Sequence, residues 1–322
     1  YDRKAKRELL KEGSCANVLM TYEDKPYQYD NWNIYDYYRA KSWEVEKLVS
    51  RKVIEQGPVR MALELKWEYL HSQIKEILYF YPDSARVDIA AEIEWHENQI
   101  LLKALFPLEM NAREASYEIQ YGNVKRPTHY NTSWDEARFE VCAHKWLDVS
   151  EDGYGISVLN DCKYGCDVHN GRIGLTMLKS ATYPNPAADK EHHSFTWSLC
   201  PHSGRWQENQ TVAKAYLLNN PYRAVVKQND GGSLTKTYSA VSVNVPNVVI
   251  EVVKKAEDGE GTIIRMYECW NRRSRFELQL SEPAEHVYET NLLEEKQGEI
   301  PVKDNKVSLE IRPFEIKTLI VY

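Results

Sequence analysis

Val87-Asp-Ile-Ala-Ala-Glu-Ile-Glu-Trp95 decides the fold, because Val87, Ile89, Ala91, Ile93 and Trp95 fall on one face of an extended chain and Asp88, Glu92 and Glu94 take most of the other. Such a segment is a half-buried antiparallel strand, packed on one side and wet on the other. His96-Glu-Asn then reverses the chain into a second strand at 100–106. Similar β-rich runs recur at 43–54, 58–69, 72–81, 113–121, 137–145, 248–255, 261–268, 275–280 and 305–321. Many strands at short intervals predict sandwiched sheets. One helix is expected at 207–219, where Val212, Tyr216 and Leu217 share a stripe and Pro221 stops the pattern. Asp83-Ser, Asn229-Asp-Gly-Gly-Ser and Glu257-Asp-Gly-Glu-Gly read as turns, and 227–236 as a mobile surface loop. The expected class is all-β: a large antiparallel β-sandwich with one short helix.

Composition narrows the function. Hydrophobic residues at 43% and charged residues at 28% are ordinary globular usage, which argues against disorder. A net charge of −7 argues against nucleic acid, whose binders carry a basic face that neutralises phosphates. The longest uncharged run, 237–250, is broken by Asn244 and Pro246 and falls short of the roughly 20 apolar residues that span a bilayer, so no membrane anchor is expected. Six cysteines, at 15, 142, 162, 166, 200 and 269, are too few and too scattered for a disulfide framework; reduced thiols and a cytoplasmic location are the simpler expectation.

Two stretches carry candidate chemistry. Residues 22–45 crowd Tyr22, Tyr27, Tyr29, Trp32, Tyr35, Tyr37, Tyr38 and Trp43 among Asp24, Asp30 and Asp36 with no clean period. Sugars present apolar C–H faces to aromatic rings and hydroxyls to carboxylates, so this mixture suits a saccharide; the alternative is that the rings merely cover one end of the sandwich. Leu159-Asn-Asp-Cys-Lys-Tyr-Gly165 places Asp161, Lys163 and Tyr164 on a polar turn, where a scaffold presents its chemistry.

Ordered motifs then point to a family. Tyr22-Glu-Asp-Lys-Pro with Tyr29-Asp-Asn-Trp-Asn is followed by Ala137-Arg-Phe-Glu-Val, His144-Lys-Trp-Leu-Asp and Leu159-Asn-Asp-Cys-Lys-Tyr-Gly. Leu178-Lys-Ser-Ala-Thr-Tyr-Pro, His193-Ser-Phe-Thr-Trp, Val252-Val-Lys-Lys-Ala-Glu-Asp and Arg312-Pro-Phe-Glu-Ile-Lys-Thr-Leu complete the series. In that order, end to end, the chain resembles the carboxy-terminal β region of glycoside hydrolase family 38, the retaining α-mannosidases, in their bacterial and vacuolar-type branch.

The resemblance implies a galactose-mutarotase-like supersandwich, with 1–45 an incomplete start of the β region and 46–322 the large carboxy-terminal domain. A retaining glycosidase needs two carboxyl groups about 5 Å apart, and this family adds a zinc that binds hydroxyls of the reacting mannose. The family's nucleophile and zinc ligands, a His-x-Asp pair among them, lie in an amino-terminal domain. None of the nine histidines here is followed two places later by Asp, so no catalytic or metal-ligating residue is assigned to this chain and zinc is expected upstream of it. Asp161, Lys163 and Tyr164 become the first choice for a wall of the mannoside pocket, with Lys163 holding Asp161 ionised; Asp30 and Trp32 are the second. The simpler alternative is that Asp161 and Lys163 only pair with each other in a surface turn. Expected partners are the amino-terminal catalytic domain of the same polypeptide and a mannose-containing oligosaccharide, with a homo-oligomer left open. The competing function is a non-catalytic carbohydrate-binding or scaffold module.

Three other signals compete. Cys162-x3-Cys166-x2-His169 offers soft ligands for a local metal or redox site. His192, His193 and His202 flank a strand at 195–200, and Glu97, Glu208 or Glu268 would serve as general acids paired with a histidine by analogy with the mutarotases.

Overall fold

The computed structural model describes residues 1–226, 231 and 237–322, so the loop expected at 227–236 lies, Gly231 aside, outside the described residues. The chain forms two compact units, Tyr1–Ile119 with Val124–Pro221 and Gln120–Asn123 with Tyr222–Tyr322. The segment boundary expected after residue 45 falls inside the first unit, between strands Ser42–Glu44 and Lys47–Gln56.

The first unit holds two antiparallel sheets. One has six strands in the spatial order Val141–Cys142, Gly165–His169, Arg172–Lys179, Ile100–Pro107, Val18–Glu23 and Ser42–Glu44. The other has nine: Lys47–Gln56, Met61–Tyr69, Ser72–Phe80, Val87–Glu94, His192–Ser203, Tyr154–Asn160, Trp146–Glu151, Glu114–Ile119 and Gly122–Pro127. Strand Val87–Glu94 is fourth of the nine, with Ile89 opposite Leu78 on one side and Trp197 on the other. Its alternation works as read: Ile89, Ala91, Ile93 and Trp95 are buried against Leu102, Ala104, Phe106, Ile173, Leu175 and Met177 of the facing sheet. Asp88 departs from the pattern. It is buried on the other face, where Tyr81 Oη (2.9 Å), Arg86 Nε (2.5 Å) and Ser198 Oγ (2.5 Å) donate to its carboxylate.

The second unit pairs a four-stranded sheet (Val241–Val243, Ser274–Leu280, Lys306–Ile311, Val302–Lys303) with a five-stranded one (Val248–Lys255, Thr262–Glu268, Ile316–Val321, Val287–Thr290, Lys296–Ile300). Its core is Val248, Ile264, Met266, Phe276, Leu278, Val287, Val307, Ile311 and Leu319. The antiparallel all-β sandwich expected from the sequence is therefore what forms, with its sheets distributed over two units.

Four local readings need correction. The run at 43–54 divides into two strands that belong to different sheets. The run at 137–145 keeps only Val141–Cys142 as strand; a helix at Ser133–Glu136, started by a reciprocal capping box between Thr132 and Asp135, takes Ala137 as its C-cap. The run at 305–321 breaks at Arg312-Pro-Phe-Glu: Pro313 has no N–H for a ladder, Phe314 adopts φ +56°, and Glu315 accepts from Arg312 N at 2.6 Å. The expected helix is shorter, Thr211–Asn219, starting after Gln210 at φ +56°. Among the described residues no helix is long and apolar enough to cross a membrane.

Candidate functional site

Strand direction gathers the candidate loops at one end of the first unit. Glu23 pairs with Ile100, Leu101 with Lys179 and Glu94 with His192, so three strands meet their neighbours end to start, and Asn160 ends a fourth opposite Trp197. The connections 95–99 and 161–164 each pass from the nine-stranded to the six-stranded sheet, which brings the loops 24–41, 95–99, 161–164 and 180–191 together. All five residues singled out from the sequence lie on them.

Asp161 is fixed from one side only. Its Oδ2 accepts from Thr196 N at 2.8 Å and its own N–H donates to Thr196 O at 3.1 Å, while its Oδ1 is buried with no hydrogen-bond partner of good geometry. The Cys162 thiol beside it is pushed up to about 11 by burial and by its hydrogen bond to the Asp161 carboxylate. Lys163 does not form an ion pair with Asp161; its Nζ lies 4.4 Å from the centroid of the Phe195 ring, and its N–H donates to Asn160 Oδ1 at 2.9 Å. Tyr164 is half-exposed, its ring 5.1 Å from that of His144, whose pKa is lowered by burial and by Lys145.

Asp30 is a staple. Its carboxylate accepts from Gln99 Nε2 (3.2 Å), Thr182 N (2.9 Å), Thr182 Oγ1 (2.9 Å) and Tyr183 N (2.6 Å). Burial pushes its pKa up, but the hydrogen bonds from Thr182, Tyr183 and Gln99 outweigh burial and hold it at about 2. Lys179 Nζ donates to the Asp30 carbonyl and lies 2.8 Å from Asp24 Oδ2. Asp24 is itself buried, and burial raises its pKa in spite of Lys179. Trp32, by contrast, is 73% exposed and stacks on Tyr29 at 5.4 Å, and Tyr29 in turn lies 5.6 Å from Tyr183. A hollow of about 390 Å³ opens beside these rings, with Tyr27, Gln28, Gln99 and Thr182 in its walls.

The competing signals resolve on geometry. Alternation along Gly165–His169 sends Cys166 into the apolar core while His169 stacks on Tyr130 at 3.8 Å, so Cys162, Cys166 and His169 do not converge. Among the described residues no group of three or more His, Cys, Asp or Glu side chains is placed to hold a metal. Glu97 accepts from His71 N (2.8 Å) and Ser72 Oγ (2.7 Å), Glu208 from Arg205 N (3.1 Å), and Glu268, in the second unit, from Asn247 Nδ2 (2.8 Å), Trp270 N (2.8 Å) and Phe314 N (3.1 Å). Each therefore ties backbone in place. His192 meets Glu94 (2.6 Å), His193 the Asp189 carbonyl (2.9 Å), and His202 the buried Asp148 (2.8 Å).

Sequence reasoning missed a charge network inside the six-stranded sheet. Lys103 is fully buried, with Nζ 2.6 Å from Glu140 Oε2 and 2.5 Å from Asp167 Oδ1, and Arg172 donates to Asp167 Oδ2 at 2.7 Å. Burial opposes ionisation of Asp167, but Lys103 and Arg172 together hold its pKa low. A single Lys inside the apolar run Ile100-Leu-Leu-Lys-Ala-Leu-Phe106 was the available signal; its partners, 37 and 64 residues away, were not legible.

Comparison with known proteins fits this architecture. The model of the glycosyl hydrolases family 38 C-terminal domain matches residues 1–187, and that of the glycosyl hydrolases family 38 C-terminal beta sandwich domain matches 247–319. Alpha-mannosidase G of Dictyostelium discoideum is 36% identical over 335 residues, covering 98% of this chain and 30% of its own length. Alpha-mannosidase 2C1 of Homo sapiens is 34% identical over 325 residues, covering 98% of this chain and 31% of its own. A solved α-mannosidase from Enterococcus faecalis V583, 16% identical, shares the fold with a TM-score of 0.78 over 95% of this chain and 38% of that one. The chain thus spans about three-tenths of the length of the curated relatives it matches. With a family model covering more than half its residues and the remaining sandwich matched by a second, the chain belongs to glycoside hydrolase family 38, as part of its carboxy-terminal β region.

Proposed function

We propose that this chain is the carboxy-terminal part of a retaining α-mannosidase, and that the loop-bearing end of its first unit forms a wall of the pocket for a mannose-containing oligosaccharide. An amino-terminal catalytic domain of the same polypeptide supplies the nucleophile, the acid/base and the zinc that engages hydroxyls of the reacting mannose. The single observation that supports the wall is Asp161: one carboxylate oxygen is anchored to Thr196 N and the other is buried with only the neighbouring Cys162 thiol, a weak donor, to meet the carboxylate, on a loop shared with the half-exposed Tyr164. A buried carboxylate oxygen met by nothing stronger than a thiol is costly, and a sugar hydroxyl is a better donor that would satisfy it. Tyr164 offers a ring face and a phenol to the same ligand, and Lys163, packed on Phe195, fixes the turn that carries them. Asp30 acts by holding its loop in place, leaving Trp32 as the group that meets sugar. All six cysteines are free, which supports a reducing, cytoplasmic setting.

The second reading, a non-catalytic binding, scaffold or oligomerisation module, draws on Leu48, Val49, Val53 and Ile54, exposed along the edge strand Lys47–Gln56. Hydrolysis separates the two. The full-length polypeptide, loaded with zinc, should release mannose from terminal α-mannosides, and this chain alone under the same conditions should release none. Mannose release by the chain alone, or no release by the full-length protein, would overturn the proposal.

A further inference from the structure

A second hollow, of about 620 Å³, lies at the other end of the first unit from the loops that carry Asp30 and Asp161. Ser150, in its wall, pairs with Gly155 beside the turn at 152–153, whereas Asp161 follows the far end of strand Tyr154–Asn160. Leu147 and Val149 point into the sandwich core, so alternation turns Asp148 and Ser150 to the outer face of the nine-stranded sheet. Ser116, between the core residues Ala115 and Tyr117, joins them there. The floor is rigid. Asp148 is buried, and its carboxylate meets Ser150 Oγ (2.5 Å), Ser157 Oγ (2.7 Å) and His202 Nε2 (2.8 Å). Trp206, 6% exposed and packed on Trp146 at 4.7 Å, closes one side.

The rim opposes the charge of the molecule. The chain carries −7 overall, yet Arg113, Lys125, His129 and Arg205 stand in the walls of this one opening. Lys125 and Arg205 meet only the exposed carboxylates of Glu114 (3.2 Å) and Glu208 (3.3 Å), pairs worth little and readily exchanged for another anion. Arg113 makes no ion pair among the described residues. Between rim and floor the polar groups are neutral: the Ser116 hydroxyl and the Gln207 carboxamide, whose Oε1 is buried without a hydrogen-bond partner. Cations at the mouth and uncharged donors and acceptors beneath them suit a small molecule with an anionic end and hydroxyl groups. Inorganic phosphate would leave the neutral groups unused. A nucleobase would find no open ring to stack on, because Trp206 is the one Trp, Tyr or Phe in the walls and its faces are covered. We infer that this hollow is a second ligand site that takes a sugar phosphate, with Arg113, Lys125 and Arg205 on the phosphate and Ser116 and Gln207 on the hydroxyls. The site shares no residue with the proposed mannoside pocket and does not depend on the mannosidase reading.

The test is a calorimetric titration of this chain with mannose-6-phosphate, with mannose and with inorganic phosphate, at fixed ionic strength. The ester should bind saturably and more tightly than either half. Arg113→Ala should weaken its binding about tenfold, which is about 1.4 kcal/mol. Arg113 is exposed, so this variant should unfold at the same temperature as wild type. Arg275→Ala, which removes an exposed arginine of the second unit, and Asp161→Ala, at the other end of the first, should both leave ester affinity unchanged. No saturable binding of the ester by the folded chain, equal affinity for the ester and inorganic phosphate, or equal affinity in wild type and Arg113→Ala overturns the inference. Loss of ester binding in Asp161→Ala would put the ester at the loops and overturn it as well. Ester binding through Arg113 with no hydrolysis by the full-length protein keeps this site and discards the enzyme, and hydrolysis without such binding does the reverse.

Discussion

Asp30→Asn removes one charge from the staple and leaves its shape nearly intact, so its cost can be worked from the structure. The wild-type carboxylate is 3% exposed and accepts four hydrogen bonds, two of them from the backbone N–H groups of Thr182 and Tyr183, which can only be met by an acceptor. Burial favours the neutral acid, but the bonds from Thr182 and Tyr183 favour the anion more, and the pKa falls from 3.8 to about 2. At 1.36 kcal/mol per unit, the ionised staple contributes about 2 kcal/mol at neutral pH. Asparagine would turn an N–H₂ toward existing donors, so about that much should be lost, lowering Tm by about 4–8 °C for a unit of this size. The pH dependence carries the sign. Because the folded pKa lies below the unfolded one, the unfolded chain binds more protons between them; the contribution is complete above about pH 5 and vanishes as pH falls toward about 2. Urea unfolding followed by tryptophan fluorescence is the assay, since eight of the nine tryptophans lie in the first unit. Wild type and variant should differ at pH 7 and converge near pH 2. A difference that is absent at pH 7, or equally large at both, refutes the reasoning.

Further outcomes follow from other buried groups. Lys103→Met strands Glu140 and Asp167 without their shared cation and should cost about 3–5 kcal/mol at pH 7 by urea titration. The loss should shrink toward pH 5 as one stranded carboxylate takes up a proton, since a carboxyl whose folded pKa is raised makes stability fall as pH rises. Glu76, fully buried and reached by Asn17 Nδ2 (2.7 Å) and Trp67 Nε1 (3.0 Å), has its pKa raised to about 7 by burial. The folded state therefore keeps a proton that the unfolded chain has released, and unfolding free energy should decline by about 2–3 kcal/mol between pH 5 and pH 8; a flat profile would remove the claim. Gly155→Ala would set a Cβ 2.2 Å from Ser150 Oγ and 2.5 Å from His202 Cε1, and should cost about 1–3 kcal/mol in thermal or urea unfolding.

Legibility in the sequence followed the range of the physics. Alternation is local, so Val87–Glu94 and the strands around it could be read from spacing alone, as could the all-β class. Capping and proline effects are equally local, yet beside the run at 137–145 and at 312–315 they were outweighed in the reading by apolar residues such as Phe139 and Phe314. Asp30 and Trp32 illustrate the harder limit. Their motif marked the loop correctly as a place of interest, but which of them faces solvent depends on Thr182 and Tyr183, far along the chain. The expected Asp161–Lys163 partnership failed for the same reason: Phe195, on a neighbouring strand, takes the lysine. Lys103 shows that a charge inside an apolar run is visible as an anomaly, while the carboxylates that neutralise it are not.

Asp161 is the residue on which the pocket-wall proposal stands, and its truncation in the full-length enzyme is the most direct measurement. Asp161→Ala should lower kcat/KM for an α-mannoside by tenfold or more, because the acceptor facing the sugar is gone. Unfolding free energy should change by no more than about 1.5–3 kcal/mol, the worth of the charge-assisted bond to Thr196 N. Wild-type kinetics in a folded Asp161→Ala enzyme would contradict the account.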